Sequence, residues 1–111
     1  MAKRPKRKVI FRVSVGFKRS YLEHNAINPK IKEKLTVFNR YKRLIPPVQL
    51  PLDMRDHHLG GPLKGFKECH LAHDSLLLYT HKNDIVTLLR VCWHSELYRP
   101  DFTRAMRRLL N

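Results

Sequence analysis

The sequence predicts an α+β fold in which one β-sheet packs against helices on one of its faces. Three observations lead to this class: an alternating apolar strand near the start, two helical segments after it, and three closely spaced strands in the second half. The expected order is β-α-α-β-β-β with an antiparallel sheet and a short C-terminal helix. With 111 residues, the chain is long enough for one domain with one core.

The first half contains one strand and two helices. Apolar residues occupy every second position from 9 to 15, the period of a strand with one apolar face, and Gly16 ends it. Residues 17–24 are expected to form a short helix. Asn28 followed by Pro29 is a strong start signal for a second, longer helix. Its apolar residues recur at spacings of three and four, and they are Ile31, Leu35, Phe38, Tyr41 and Ile45.

The second half begins with a long loop rich in proline and glycine, residues 46–65. Long loops in compact domains are often functional. The elements predicted after it are strands at 66–71, 76–79 and 85–93, a tight turn at 82–84, and a helix at 101–110 with an apolar side and an arginine-rich side. We expect three parts: a basic arm (1–8), the main domain (9–98) and a helical extension (99–111).

Positive charge dominates the composition. Lysine and arginine outnumber acidic residues by 23 to 9, and the net charge is +14. Such an excess indicates a polyanionic partner, with nucleic acid ahead of a membrane surface or an acidic protein. The basic start is followed by no apolar stretch, and no apolar run approaches the roughly 20 residues that span a bilayer. We therefore expect a cytosolic protein without a membrane segment, with Cys69 and Cys92 reduced.

Histidines concentrate in the second half, which contains six of the seven. On the strand at 66–71, Glu68 and His70 share a face, and on the last strand Arg90 shares a face with the position of His94. If these strands were neighbours, His70, Arg90 and His94 would converge. His57 in the loop and Asp74 in the following turn could reach the same rim.

Histidines with an arginine suit RNA cleavage by the 2′-hydroxyl of the RNA itself. That reaction needs a base, an acid and positive charge at the phosphate, and imidazole can be either base or acid near neutral pH. Lys64 and Lys67 are expected to contact phosphate or to be solvated. A zinc site built from histidines and cysteines is an alternative, although their spacing matches no compact pair of ligands. No cofactor or metal is therefore expected.

Several short stretches of the second half together form one pattern. They are Asp56-His57-His58-Leu59-Gly60-Gly61, Lys67-Glu68-Cys69-His70-Leu71, Asp74, Leu76-Leu77-Leu78-Tyr79, Arg90 and His94-Ser95-Glu96-Leu97-Tyr98. This pattern resembles the signature of YafQ-type mRNA-cleaving toxins of the RelE/ParE superfamily, from residue 50 to residue 98. Ser75 departs from it, because the family often has a bulky aromatic residue there. Trp93 could supply the missing stacking surface or pack in the core.

The resemblance implies a RelE-like, microbial-RNase-type fold and ribosome-dependent cleavage of mRNA in the A site without a metal. The expected partners are mRNA on the ribosome, with contacts to 30S ribosomal RNA through basic residues, and a cognate antitoxin protein. The catalytic set that the resemblance implies is His57, His70, Asp74 and His94, with Tyr98 as an active-site aromatic; Arg90 would stabilise the phosphate. Proton transfer falls first to His57 and His94, and His70 and Asp74 orient or share it.

Two other functions stay open at this point. One is a non-catalytic RNA- or ribosome-binding protein of the same fold, for which the histidines would be dispensable. The other is a toxin directed at a different target, as the ParE branch is directed at gyrase; the retained histidines argue against it.

Overall fold

The computed structural model describes residues 7–110; residues 1–6, which make up most of the predicted basic arm, lie outside the described part. The strands are β1 (Ile10–Val13), β2 (His57–His58), β3 (Lys67–His70), β4 (Ser75–Lys82) and β5 (Ile85–Trp93). The helices are α1 (Phe17–Ile27), α2 (Lys30–Lys42) and α3 (Pro100–Leu110). The predicted order is confirmed, and β2 is an additional short strand inside the segment expected to be a loop.

The five strands form one sheet in the order β1-β5-β4-β3-β2. Strands β2 to β5 pair antiparallel, whereas β1 runs parallel to β5, with Ile10 opposite Ile85. The sheet is therefore mixed, and the expectation of a wholly antiparallel sheet was wrong for this one pair. Short connections force β3, β4 and β5 to alternate in direction, but the two-helix connection after β1 leaves its direction free.

Each face of the sheet is covered by its own hydrophobic core. The core between the sheet and helices α1 and α2 contains Phe38 of α2 and Leu77 and Tyr79 of β4. The opposite face, here called the outer face, contains Leu78 and Leu89 together with residues from α3. The predicted C-terminal helix is thus confirmed, and it closes the outer face of the sheet.

The helix boundaries follow local capping chemistry. The side-chain oxygen of Asn28 accepts a hydrogen bond from the backbone N–H of Lys30 at 3.1 Å, which satisfies one of the free donors at the start of α2. This confirms the predicted helix start. The helix ends at Lys42, just before the predicted stop at Pro46 and Pro47.

A buried ionic cluster fixes the long loop to the rest of the domain. We call it the Asp56 cluster; its members are Asp56, Lys42, Lys67 and Tyr79. The carboxylate of Asp56 accepts a hydrogen bond from the Tyr79 hydroxyl and lies 3.2 Å from Nζ of Lys67 and 3.6 Å from Nζ of Lys42. Lys42 is almost fully buried, and its pKa is lowered by that burial. Because Arg55 and His57 flank Asp56, the cluster sets the position of both.

The cysteines and the helices bear on two further expectations. Cys69 is buried in the core under α1 and α2, and Cys92 in the core of the outer face, so the sheet separates them and both thiols are free. No helix within residues 7–110 is long and apolar enough to cross a membrane.

Candidate active site

A cleft of about 540 Å³ opens at the end of the sheet where β3 turns into β4. Its lining includes three of the four predicted catalytic residues: His70, Asp74 and His94. It also includes Arg55 from the loop before β2 and Lys34 from α2. The turn between two strands, the end of a third strand and a loop therefore bring imidazoles and cations to one concave surface.

The fourth predicted residue, His57, joins this group through Glu68. In the register of β2 and β3, His57 lies opposite Glu68, so both side chains occupy the outer face. Oε1 of Glu68 lies 3.7 Å from Nε2 of His57 and 3.7 Å from Nε2 of His70. One carboxylate therefore lies between two of the predicted catalytic imidazoles.

Burial sets the electrostatics of this trio. The side chain of Glu68 is only 3% exposed, and burial raises the pKa of the carboxyl while the charges of His57 and His94 oppose that rise. Burial also lowers the pKa of His70, and the positive charge of Arg55 lowers it further. Both effects favour the unprotonated ring of His70, which is the form that can accept a proton.

Hydrogen bonding fixes the tautomer of His57. Its Nδ1 lies 2.7 Å from the carbonyl oxygen of Arg55, and since a carbonyl only accepts, Nδ1 must donate. In the neutral ring Nε2 is then the free acceptor, and this is the nitrogen that faces Glu68. Arg55 itself has a left-handed backbone, with φ of 48°, which directs its carbonyl to His57.

The other side of the cleft is held by backbone and by α1. The N–H of His94 donates to the carbonyl of Asp74 at 3.3 Å, which joins the end of β5 to the turn before β4. The next residue, Ser75, is buried and its hydroxyl lies 2.7 Å from Nδ1 of His24. The His24 ring packs against the Trp93 ring, with centroids 3.9 Å apart and the ring planes tilted by 32°. Trp93 is therefore half-buried beside the cleft, where it packs against a histidine of α1.

The four residues predicted to bind phosphate or RNA have different environments. Lys64 and Tyr98 are exposed, and Tyr98 is 67% exposed. Lys67 faces the helices and belongs to the Asp56 cluster. Arg90 lines a second cavity of about 390 Å³ with His24 and Trp93.

The expected convergence of Arg90 with His70 does not occur. Strand β4 lies between β3 and β5, so these two strands are not neighbours. The Arg90 guanidinium lies instead at the end of β1, so close to Gly16 that a Cβ there would be 2.8 Å from it. In the cleft itself, cationic side chains come from Arg55 and Lys34.

Three residues of this site, Glu68, Arg55 and Lys34, were not among the site residues predicted from the sequence. Glu68 carried a usable signal, because it shares the alternating face of β3 with His70. Arg55 carried none, since its position depends on a positive φ within an irregular segment. Among residues 7–110 no group of three or more His, Cys, Asp or Glu side chains is arranged to hold a metal ion. Both cysteines of the zinc alternative are buried away from the cleft.

Comparisons with a family profile and with solved structures relate this chain to known toxins. The sequence profile of the family described as "Bacterial toxin of type II toxin-antitoxin system, YafQ" matches residues 10–99. A metal-bound toxin from Helicobacter pylori is 33% identical, with 81% of this chain and 99% of that chain covered and a TM-score of 0.58. No curated protein matches the sequence.

Two more distant structures share the fold. The YafQ chain of the Escherichia coli DinJ–YafQ complex is 20% identical, with 82% of this chain and 99% of that chain covered and a TM-score of 0.65. A YoeB/ParE toxin from Agrobacterium tumefaciens is 12% identical, with 78% and 99% covered and a TM-score of 0.62. The chain belongs to the YafQ family of bacterial toxins of type II toxin–antitoxin systems.

Proposed function

We propose that this toxin is an endoribonuclease that cleaves mRNA in the ribosomal A site by acid–base catalysis that needs no metal. The observation that carries the proposal is that His70, Asp74 and His94 line one cleft and that the carboxylate of Glu68 links His70 to His57. A protein that only binds RNA needs positive charge, but it has no use for a buried carboxylate placed between two histidines.

These groups can supply the base and the acid that RNA cleavage requires. A base removes the proton of a 2′-hydroxyl, whose oxygen attacks the adjacent phosphorus. The bond from phosphorus to the 5′-oxygen then breaks, and an acid protonates that oxygen. The products are a 2′,3′-cyclic phosphate and a 5′-hydroxyl, and neither an oxidant nor a second substrate is required.

Proton transfer is assigned to His57 and His94, with His70 and Asp74 orienting or sharing it. The lowered pKa of His70 supports a share in the base role, since the unprotonated ring is the form that accepts a proton. Glu68 lies within 3.7 Å of two imidazoles and would stabilise whichever one becomes protonated. We add Glu68 to the proposed catalytic set on this ground.

Positive charge at the phosphate is the remaining requirement, and Arg55 meets it best because it lines the cleft. Arg90 remains a proposed phosphate ligand, but from the second cavity it would contact a flanking nucleotide rather than the scissile phosphate. Tyr98 and Lys64 are exposed and suit stacking and backbone contact. A cleft this open constrains free RNA weakly, so we expect the ribosome to position the substrate.

A cognate antitoxin protein is the second proposed partner. Family membership supports this, because type II systems pair a toxin with a protein antitoxin, and the related E. coli YafQ has been solved in complex with DinJ. We expect co-expression of the antitoxin to suppress the growth arrest that the toxin causes.

The decisive experiment is induced expression in bacteria of the wild-type chain, His94→Ala and His57→Ala, followed by mapping of mRNA 5′ ends. We expect wild type to arrest growth and to produce cuts in phase with codons, and both variants to lose these effects. Cleavage on purified ribosomes should be unchanged when the toxin has been treated with EDTA and desalted before the assay. Growth arrest without new 5′ ends would refute the nuclease and would leave the non-catalytic RNA-binding protein and the toxin with a different target.

His58→Ala is the matched control. His58 is exposed and adjacent to His57 on β2, but it lies opposite Lys67 in the register and so occupies the other face. We expect this variant to cleave like wild type. Equal loss in His57→Ala and His58→Ala would show that disruption of β2, and not loss of a catalytic imidazole, causes the defect.

A further inference from the structure

Helix α3 divides sharply into an apolar and a cationic side. Thr103 and Met106 are buried, and Phe102 and Leu109 pack against the core of the outer face. The opposite side carries three exposed arginines at helical spacings of three and four: Arg104, Arg107 and Arg108. The buried side fixes the helix on the sheet, so the arginines form a rigid row on the surface.

These arginines are not used within the domain. In the described part of the chain, none of them forms an ion pair or a side-chain hydrogen bond, although other surface cations such as Arg7 do. Asp101 is the one acidic residue of α3. It lies in the first turn, where a negative charge interacts favourably with the helix dipole. Arg104 and Arg108 are about 6 Å apart along the helix axis, since each residue advances the helix by 1.5 Å.

The row lies on the outer face of the sheet, the face that also carries Glu68 and His57. At its C-terminal end the helix reaches the loop before β3, where a Cβ at Gly65 would be 3.8 Å from Leu110. The exposed Lys64 precedes Gly65 and therefore extends the cationic surface toward β3. The family match ends at residue 99, so α3 lies outside the part of the chain that the family profile describes.

We propose that the arginine row of α3 is a docking surface for the phosphate backbone of duplex RNA, separate from the cleavage site. A fixed row of guanidinium groups without competing carboxylates is complementary to a regular array of phosphates. Helix α3 packs on the face of the sheet that carries Glu68, so RNA held on the row would lie on the same side of the sheet as that residue. The inference rests on the proposed function in that RNA is the polyanion.

The test measures binding of a fluorescent 20-base-pair RNA hairpin as a function of KCl concentration. The protein carries His94→Ala throughout, so that the probe stays intact. Replacing Arg104, Arg107 and Arg108 with glutamine should make the slope of log K against log salt shallower by about 2 to 3, since each lost phosphate contact removes about 0.7 to 0.9. The affinity should fall about tenfold or more at 0.1 M salt.

The matched control replaces three exposed lysines of the opposite face, Lys18, Lys30 and Lys32, with glutamine, which removes the same charge. We expect it to change the slope by less than half as much as the arginine variant does. Equal effects would overturn the proposal, because they would indicate diffuse attraction and not a docking surface. Unchanged RNA binding with weakened antitoxin binding would also overturn it and would assign the row to the protein partner.

The two proposals can fail separately. If the arginine variant, built on the active chain, cuts mRNA in cells as wild type does and binds the hairpin equally well, the docking surface is refuted while the nuclease stands. If neither protein cuts but the hairpin data hold, the nuclease is refuted and the docking surface stands. Thermal melts monitored by circular dichroism should be the same for both triple variants and their parent.

Discussion

Replacing Asp56 with asparagine should destabilise the domain by about 3 kcal/mol. At 3.6 Å from Lys42 and 3.2 Å from Lys67, each attraction is about 5 kcal/mol at an effective dielectric constant near 20. Removing one partner of a buried ion pair typically costs about 3 to 5 kcal/mol. We expect the low end, because asparagine can still accept the Tyr79 hydrogen bond and Lys67 is partly solvated.

Urea unfolding followed by far-UV circular dichroism measures this loss. A 3 kcal/mol change shifts the midpoint by about 1 to 3 M for a small domain. The surface control is Asp53→Asn, whose ion pair with Lys34 is solvent-exposed and should contribute less than about 1 kcal/mol. In a double-mutant cycle with Lys42→Met, the two losses should overlap by more than 1 kcal/mol. Additive losses, or an Asp56→Asn effect no larger than the control, would refute the reasoning.

Three further predictions concern titratable groups. An NMR titration of His70 should give a midpoint below the ordinary histidine value of about 6.5, because burial and Arg55 lower its pKa; a midpoint above that value would contradict the assignment. Burial likewise lowers the pKa of His24 in the folded state, so its contribution to stability is complete above about pH 6.5 and is lost as pH falls through the lowered pKa. The unfolding free energy should therefore drop less between pH 7 and 5 in His24→Gln than in wild type, and parallel curves would disprove this. Burial raises the pKa of Cys92 to about 12 and raises that of Cys69 as well. A thiol reagent at pH 8 should therefore label neither cysteine until urea is added. Rapid labelling of the native protein would contradict the burial of these thiols.

Local patterns accounted for most of the secondary structure. The strand at 85–93 was predicted with its observed bounds, and the turn before it contains Asn83 with φ of 54°, a backbone conformation that asparagine tolerates. The C-terminal helix and the start of α2 also followed from periodicity and capping. In each case the determining interactions lie within a few residues along the chain.

The pairing between segments far apart in the chain was harder to predict from the sequence. Nothing near β1 specifies whether it runs parallel or antiparallel to β5, because that depends on how two helices return the chain across the sheet. Strand β2 has only two residues, and it exists because β3 offers it a hydrogen-bonding edge. Neither property has a local sequence signal.

In the candidate site, too, the identities of residues were predicted from the sequence, but positions that depend on long-range pairing were not. The resemblance to YafQ-type toxins supplied His57, His70, Asp74 and His94, and the structure places the last three on one cleft with His57 linked through Glu68. The roles of these residues remain predictions. The position of Arg90 depends on the strand order, which no alternation within a single strand can reveal.

The parallel pairing of β1 with β5 also has a consequence for biosynthesis. Ile85, the partner of Ile10, is made 75 residues later, which at 5 to 20 residues per second takes roughly 4 to 15 s. Throughout that interval β1 has no neighbour, and His94 has not yet been made. The cleft is therefore completed only after His94 has been made, so any shorter nascent chain lacks one member of the proposed catalytic set.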